Sequence, residues 1–127
     1  MRDELKRQGA FSWTELMTTD VGAAKRFYAE LLGWEMEDAP MPGMTYTTVK
    51  VAGQEVGGIM ARPPEAEGVP PVWATYITVD DVDATAQKAT ELGGAVHVPP
   101  TDIPKVGRFS VIADPQGAVF HVIKYAE

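Results

Sequence analysis

Apolar and polar residues alternate in short runs along most of this chain, and twice the alternation gives way to apolar residues spaced three and four apart. The first run, Phe11 to Thr18, reads as a strand, because alternation of period two places one set of side chains on each sheet face. Asp20 follows as a helix N-cap, and a helix is predicted from Val21 to Leu32 with Ala24, Phe27, Tyr28 and Leu31 on one apolar face and Gly33 as its stop. Strands are then expected at Trp34–Glu37, Thr45–Val51 and Glu55–Ala61, the last two joined by a short turn through Ala52, Gly53 and Gln54. After residue 71 the series starts again. A strand from Val72 to Val79 precedes a helix capped by Asp81 and ended by Gly93 and Gly94. Strands at Ala95–Val98, Arg108–Ala113 and Ala118–Tyr125 complete it, the last two joined by the turn Asp114-Pro115-Gln116-Gly117.

The two halves match residue by residue. A shift of 61 places lays Thr14, Asp20, Val21, Ala23, Glu30, Leu31 and Gly33 on Thr75, Asp81, Val82, Ala84, Glu91, Leu92 and Gly94. Such an internal repeat fixes the architecture and says which positions are equivalent. The expected organisation is one domain over 1–127, with a first βαβββ module at 11–61, a linker at 62–71 and a second module at 72–125. Pro63, Pro64, Pro70, Pro71 and Gly68 mark the linker, since proline cannot continue a sheet interior.

Composition removes several function classes. The chain of 127 residues has no cysteine, so thiolate metal sites, disulfides and cysteine nucleophiles are absent. A net charge of -7 speaks against nucleic acid, which requires a basic stripe. No apolar run is long enough to span a bilayer, and the charged start Arg2-Asp3-Glu4-Leu5-Lys6-Arg7 is unlike a signal peptide, which leads to the expectation of a cytoplasmic protein.

Asp20 before a helix carrying Phe27-Tyr28 and ending in Leu32-Gly33-Trp34, the paired βαβββ units, and Asp114-Pro115-Gln116-Gly117 before the final strand together resemble the vicinal oxygen chelate superfamily. This is the superfamily of glyoxalase, bleomycin-resistance and extradiol-dioxygenase-like proteins. The resemblance covers the chain from Phe11 onward. It implies an α+β fold in which two tandem βαβββ modules form a curved, cup-like mixed sheet with helices outside, commonly as a homodimer. In metal-dependent members, four ligands come from the first and last strands of each module. The equivalent positions here are Trp13, Gly58, Ala74 and His121, of which only His121 offers a donor, so no metal and no other cofactor is expected.

Strand parity extends the lining of the implied cup. Glu15 and Met17 share a face with Trp13, Tyr76 and Thr78 with Ala74, and Met60 with Gly58. Glu15, Tyr76 and His121 are the polar groups among these otherwise apolar side chains and are the candidate catalytic residues. Trp13, Met17, Gly58, Met60, Ala74 and Thr78 are the candidate ligand cavity. A carboxylate in mid-strand is costly to bury unless it is partnered, and a base is one use of it. The competing expectation is an ion pair of Glu15 with Lys50 or Arg108. Two functions follow. One is metal-independent proton transfer, of isomerase or lyase type, on a small hydrophobic or carbonyl-bearing molecule. The alternative is a non-catalytic protein that binds and sequesters a small drug-like molecule.

Overall fold

A computed structural model of the protein describes residues 2–41, 43–66 and 68–127; Met1, Pro42 and Glu67 lie outside these, Glu67 within the stretch read as a linker. The described elements run β1 (Phe11–Thr18), α1 (Val21–Leu32), β2 (Glu35–Met41), β3 (Met44–Val51), β4 (Gln54–Ala61), β5 (Val72–Thr78), α2 (Val82–Glu91), β6 (Ala95–Ile103), β7 (Gly107–Ala113) and β8 (Val119–Tyr125). This is the order βαβββ twice, the α+β class expected from the sequence. Short 3-10 turns at Asp3–Lys6 and Pro64–Ala66 are additional. The chain divides into two compact units, one of Trp13–Ala74 and one of Met1–Ser12 with Thr75–Glu127.

In the Trp13–Ala74 unit the strand order is β2-β3-β4-β1, with β1 parallel to β4 and the other neighbours antiparallel. One face of this sheet meets α1: Leu16, Val49 and Ile59 form the buried centre, with Val21, Ala24, Tyr28, Trp34 and Met36 packed on it. Asp20 caps the helix, its Oδ1 accepting from the Ala23 N–H at 3.0 Å. Gly33 ends it in the left-handed region at φ 72°, its N–H donating to the Ala29 carbonyl.

In the other unit the order is β5-β8-β7-β6, with β5 parallel to β8. Val79, Val82, Ile112 and Val122 make its buried centre, with Ala89 and Phe120 against them. Asp81 caps α2 as Asp20 caps α1, accepting from the Ala84 N–H at 3.0 Å. The leading segment is tied to β5: the Gly9 N–H donates to the Thr78 carbonyl, the Thr78 N–H to the Ala10 carbonyl, both at 2.8 Å, and the Thr78 hydroxyl to the Leu5 carbonyl at 2.5 Å.

The duplication is visible in the pairing registers. Glu15 lies beside Gly58 across β1 and β4, and Tyr76 lies beside His121 across β5 and β8. Thr47 pairs near Ile59 as Ser110 pairs near Val122, and all four are fully enclosed. The equivalence offset is therefore 61 residues for the first strand and helix and 63 for the last two strands. Two β-bulges, between Val96 and Val98 and between Val98 and Thr101, lie on β6, where the offset changes.

Several elements differ from expectation. β2 and β6 continue through Pro40 and through Pro99 and Pro100. Both are outermost in their unit's strand order, where N–H groups on the open side have no strand to bond, and Pro99 and Pro100 fall in the register irregularity between Val98 and Thr101. The β3–β4 connection is a two-residue turn, with Ala52 at φ 51° and Gly53 at φ 78°, the conformation of a type I′ hairpin. The apolar face expected for α1 is split. Ala24 and Tyr28 pack on the core, whereas Phe27 and Leu31 are 58% and 63% exposed.

Candidate functional site

Along β1, Leu16 points into the α1-side core, so alternation places Trp13, Glu15 and Met17 on the opposite face of the sheet. Glu15 is nevertheless only 6% exposed. Its neighbour on β4 is Gly58, and Gly58 in turn lies beside Thr48 of β3. Two residues before Thr48, on the same face, stands Tyr46. Its ring occupies the room that the missing side chain of Gly58 leaves, since a Cβ there would overlap the Tyr46 hydroxyl and ring.

The Tyr46 hydroxyl links two groups of β1. Trp13 Nε1–H donates to it at 2.8 Å, and it donates to Glu15 Oε2 at 3.1 Å. An indole N–H can only donate, so the phenol oxygen accepts from Trp13 and turns its own proton toward the carboxylate. The buried Glu15 is thereby held by a hydroxyl donor. Lys50 bridges Glu37 at 2.7 Å, and Arg108 bridges Asp83 and Asp102 at 2.8 and 2.9 Å. Met17 and Met60 lie beside each other in register, both half-buried, and Ala74 is 8% exposed.

In the other unit, Tyr76 and His121 come together edge to face, with ring centroids 4.5 Å apart and planes at 68°. The Phe109 ring is tilted by 32° to the imidazole, with centroids 6.3 Å apart. His121 is 5% exposed, and its Nδ1 has no hydrogen-bond partner. Burial pushes its pKa down from 6.5 to about 4, so the ring is neutral at pH 7. Thr78, expected to line the ligand cavity, instead commits its hydroxyl to the Leu5 carbonyl. The leading segment provides that partner, which strand parity alone does not reveal.

The sequence pairs Glu15 with Tyr76 and Gly58 with His121 correctly, but misses Tyr46. Its equivalent in the repeat is Phe109, beside His121. The signal was present, because a glycine in mid-strand invites a large side chain from the next strand, and Tyr46 shares parity with Thr48 opposite it.

Two βαβββ units with these registers define a fold of the vicinal oxygen chelate type. The chain belongs to the Glyoxalase/Bleomycin resistance protein/Dioxygenase superfamily, whose family model matches residues 10–122. It is 49% identical over 115 residues to "Putative glyoxylase CFP32" of Mycobacterium bovis, covering 88% of this chain and 44% of that protein. It is 37% identical over 119 residues to "Anthracycline biosynthesis protein DnrV" of Streptomyces peucetius, covering 94% and 42%. The chain thus spans less than half the length of these curated relatives. Among solved structures it resembles methylmalonyl-CoA epimerase from Mycobacterium tuberculosis, with TM-score 0.65, 16% identity and coverage of 95% and 93%. That likeness concerns the fold.

Metal-dependent members of this fold imply a divalent ion, and the residues at the four positions do not fit one. The Trp13 N–H is a donor already spent on Tyr46, the Tyr46 ring fills the space above Gly58, and Ala74 offers a methyl group. His121 alone presents a nitrogen, where such an ion takes three or four ligands. Among the described residues, no three His, Cys, Asp or Glu side chains are grouped as a metal site. No described helix is long and apolar enough to cross a membrane.

Proposed function

We propose that the protein acts on a small hydrophobic or carbonyl-bearing molecule by metal-independent proton transfer, with Glu15 as the proton acceptor. The observation that carries this reading is the enclosed Glu15 carboxylate held by the Tyr46 hydroxyl, itself held by Trp13. A proton on the carbon next to a carbonyl would pass to a Glu15 oxygen while the bonding pair moves toward the carbonyl oxygen. Return of the proton at another carbon completes an isomerisation, and departure of a β-substituent completes an elimination. Tyr46 fixes the carboxylate against the sheet, so the base is held in place before substrate arrives. Trp13, Met17 and Met60 supply apolar surface on the same face, with Ala74 adding little bulk and the Tyr46 ring lying over Gly58. Tyr76 and the neutral His121, in the other unit, are separate candidates for hydrogen bonding to a substrate oxygen. The same reading carries a homodimeric assembly and a cytoplasmic location.

The test is a panel of small carbonyl compounds screened for turnover, followed by Glu15→Gln on whichever compound reacts. Turnover is expected to fall at least about 100-fold, with ligand affinity by calorimetry within about threefold. Wild-type turnover in Glu15→Gln overturns the assignment of the base.

The half-buried Trp13 ring beside a carboxylate, in a chain of net charge -7, favours a second reading. In it the protein sequesters a cationic aromatic molecule by stacking and charge, without turnover. Salt-sensitive quenching of tryptophan fluorescence by such compounds, unaccompanied by their conversion, is the outcome that selects it.

A further inference from the structure

Four of the chain's six methionines stand at one end of the sheet in the Trp13–Ala74 unit, one on each of its four strands. Met17 of β1 and Met60 of β4 are Cα partners, and so are Met41 of β2 and Met44 of β3. Met44 shares parity with Tyr46, and directly opposed residues share a face, so all four side chains lie on the face that carries Glu15. Each is half-buried. Met36 faces the other way and packs on the Leu16, Val49 and Ile59 core beneath α1. The gap-filling use of methionine is met there, and the other four form a surface of their own.

The repeat supplies a control for that surface. Offsets of 61 and 63 place Thr78, Gly107 and Ile123 where this unit has Met17, Met44 and Met60. Core, caps and registers are shared between the units, so the βαβββ scaffold does not require thioethers at these positions. The feature next to them is the carboxylate: Met17 follows Glu15 by two residues, about 7 Å along β1. In the opposite direction along β1, and over β4, the Trp13 indole and the Tyr46 ring converge on their 2.8 Å hydrogen bond, with the Tyr46 ring in the room above Gly58. Two flanks of Glu15 within this unit are thus taken by rings fixed to each other. The methionines occupy a third.

We infer that this methionine floor is the subsite for an aryl group on the molecule whose carbonyl end lies at Glu15. An unbranched thioether is polarisable, adjusts its rotamer to the shape it meets and makes favourable contact with aromatic rings. Four of them side by side, across strands spaced about 4.8 Å apart, present a broad flat surface that suits an aryl ring better than a short alkyl chain. The inference rests on the proton-transfer reading above and narrows its substrate to aryl-bearing carbonyl compounds.

Calorimetry with phenylacetone and naphthylacetone tests the floor. Both are expected to bind the wild-type protein, naphthylacetone the more tightly. Met41→Gln/Met44→Gln keeps the side-chain length but adds an amide that must be desolvated, and is expected to weaken naphthylacetone at least about tenfold. Met41→Leu/Met44→Leu, which stays apolar, is expected to remain within about threefold of wild type. Circular dichroism and thermal unfolding report whether each variant is folded; Met17→Gln and Met60→Gln, single changes on the other two strands, are expected to move the affinity the same way and serve where the double variant does not fold. The base is read separately on the same ketones, as exchange of the hydrogens between ring and carbonyl for deuterium in heavy water, which Glu15→Gln is expected to lose while still binding. Wild-type exchange in Glu15→Gln overturns the base and leaves the floor to the binding data. A wild-type protein that binds neither ketone, or glutamine variants that bind naphthylacetone as tightly as wild type, overturn the floor whatever the exchange shows.

Discussion

The Tyr46 hydroxyl donates to Glu15 Oε2 across 3.1 Å, from a ring that fits only because its neighbour on β4 is glycine. Removing the hydroxyl alone tests what it contributes. Tyr46→Phe is expected to lower stability by about 1–3 kcal/mol, since a buried carboxylate loses a donor and the Trp13 N–H its acceptor. Urea unfolding with tryptophan emission as the signal measures both the stability and the altered surroundings of Trp13.

Gly58→Ala places a methyl group where the Tyr46 ring lies. The ring must swing away, so the variant is expected to lose about 1–3 kcal/mol and the Trp13–Tyr46–Glu15 connection with it. Combining it with Tyr46→Ala relieves the overlap, and the two effects are expected to sum to clearly more than the double variant shows. Strict additivity in thermal unfolding is the contrary result.

His121 carries a pH dependence whose sign follows from its depressed pKa. The unfolded chain binds a proton near pH 6.5, but the folded chain does so only near pH 4. Between those values the unfolded state holds more protons, so stability is full above about pH 6.5 and declines as the pH falls toward 4. The loss is about 3 kcal/mol from this group, and His121→Gln is expected to flatten that part of the stability profile. Denaturation series at pH 7.5, 6, 5 and 4 on both proteins provide the comparison.

Ala52 holds a positive φ of 51° at the first central position of the β3–β4 turn. Alanine bears a steric cost there that asparagine largely avoids, and Asn-Gly is the preferred pair for this turn. Ala52→Asn is expected to raise stability by about 0.5–1 kcal/mol without altering binding or turnover, as read from thermal unfolding.

The helix caps test the duplication itself. Asp20 and Asp81 make the same 3.0 Å bond to the third residue beyond each. Asp20→Ala and Asp81→Ala are each expected to cost about 1 kcal/mol in equilibrium unfolding, and to agree within a few tenths.

What was legible in the sequence was whatever repeats or obeys a local rule. The Asp20 and Asp81 caps, the Gly33 stop and the alternation along β1 each follow from adjacent residues, and the offset located Glu15, Gly58, Tyr76 and His121. Less legible were features that depend on a neighbour in space. Strand order allows proline in β2 and β6, the leading segment occupies the Thr78 hydroxyl, and α1 turns Phe27 and Leu31 outward although they lie close to its packed face. Tyr46 belongs to the same class. Its role appears only when β3 is laid beside Gly58.

Glycine at position 58 turns a place from which a strand would project a functional group into a receptacle for one. The group that addresses the Glu15 carboxylate is therefore encoded on the next strand, at position 46, where the other half of the chain has phenylalanine. Changes of ligand preference in this half are accordingly expected to follow substitutions at position 46, with position 58 constrained to remain small.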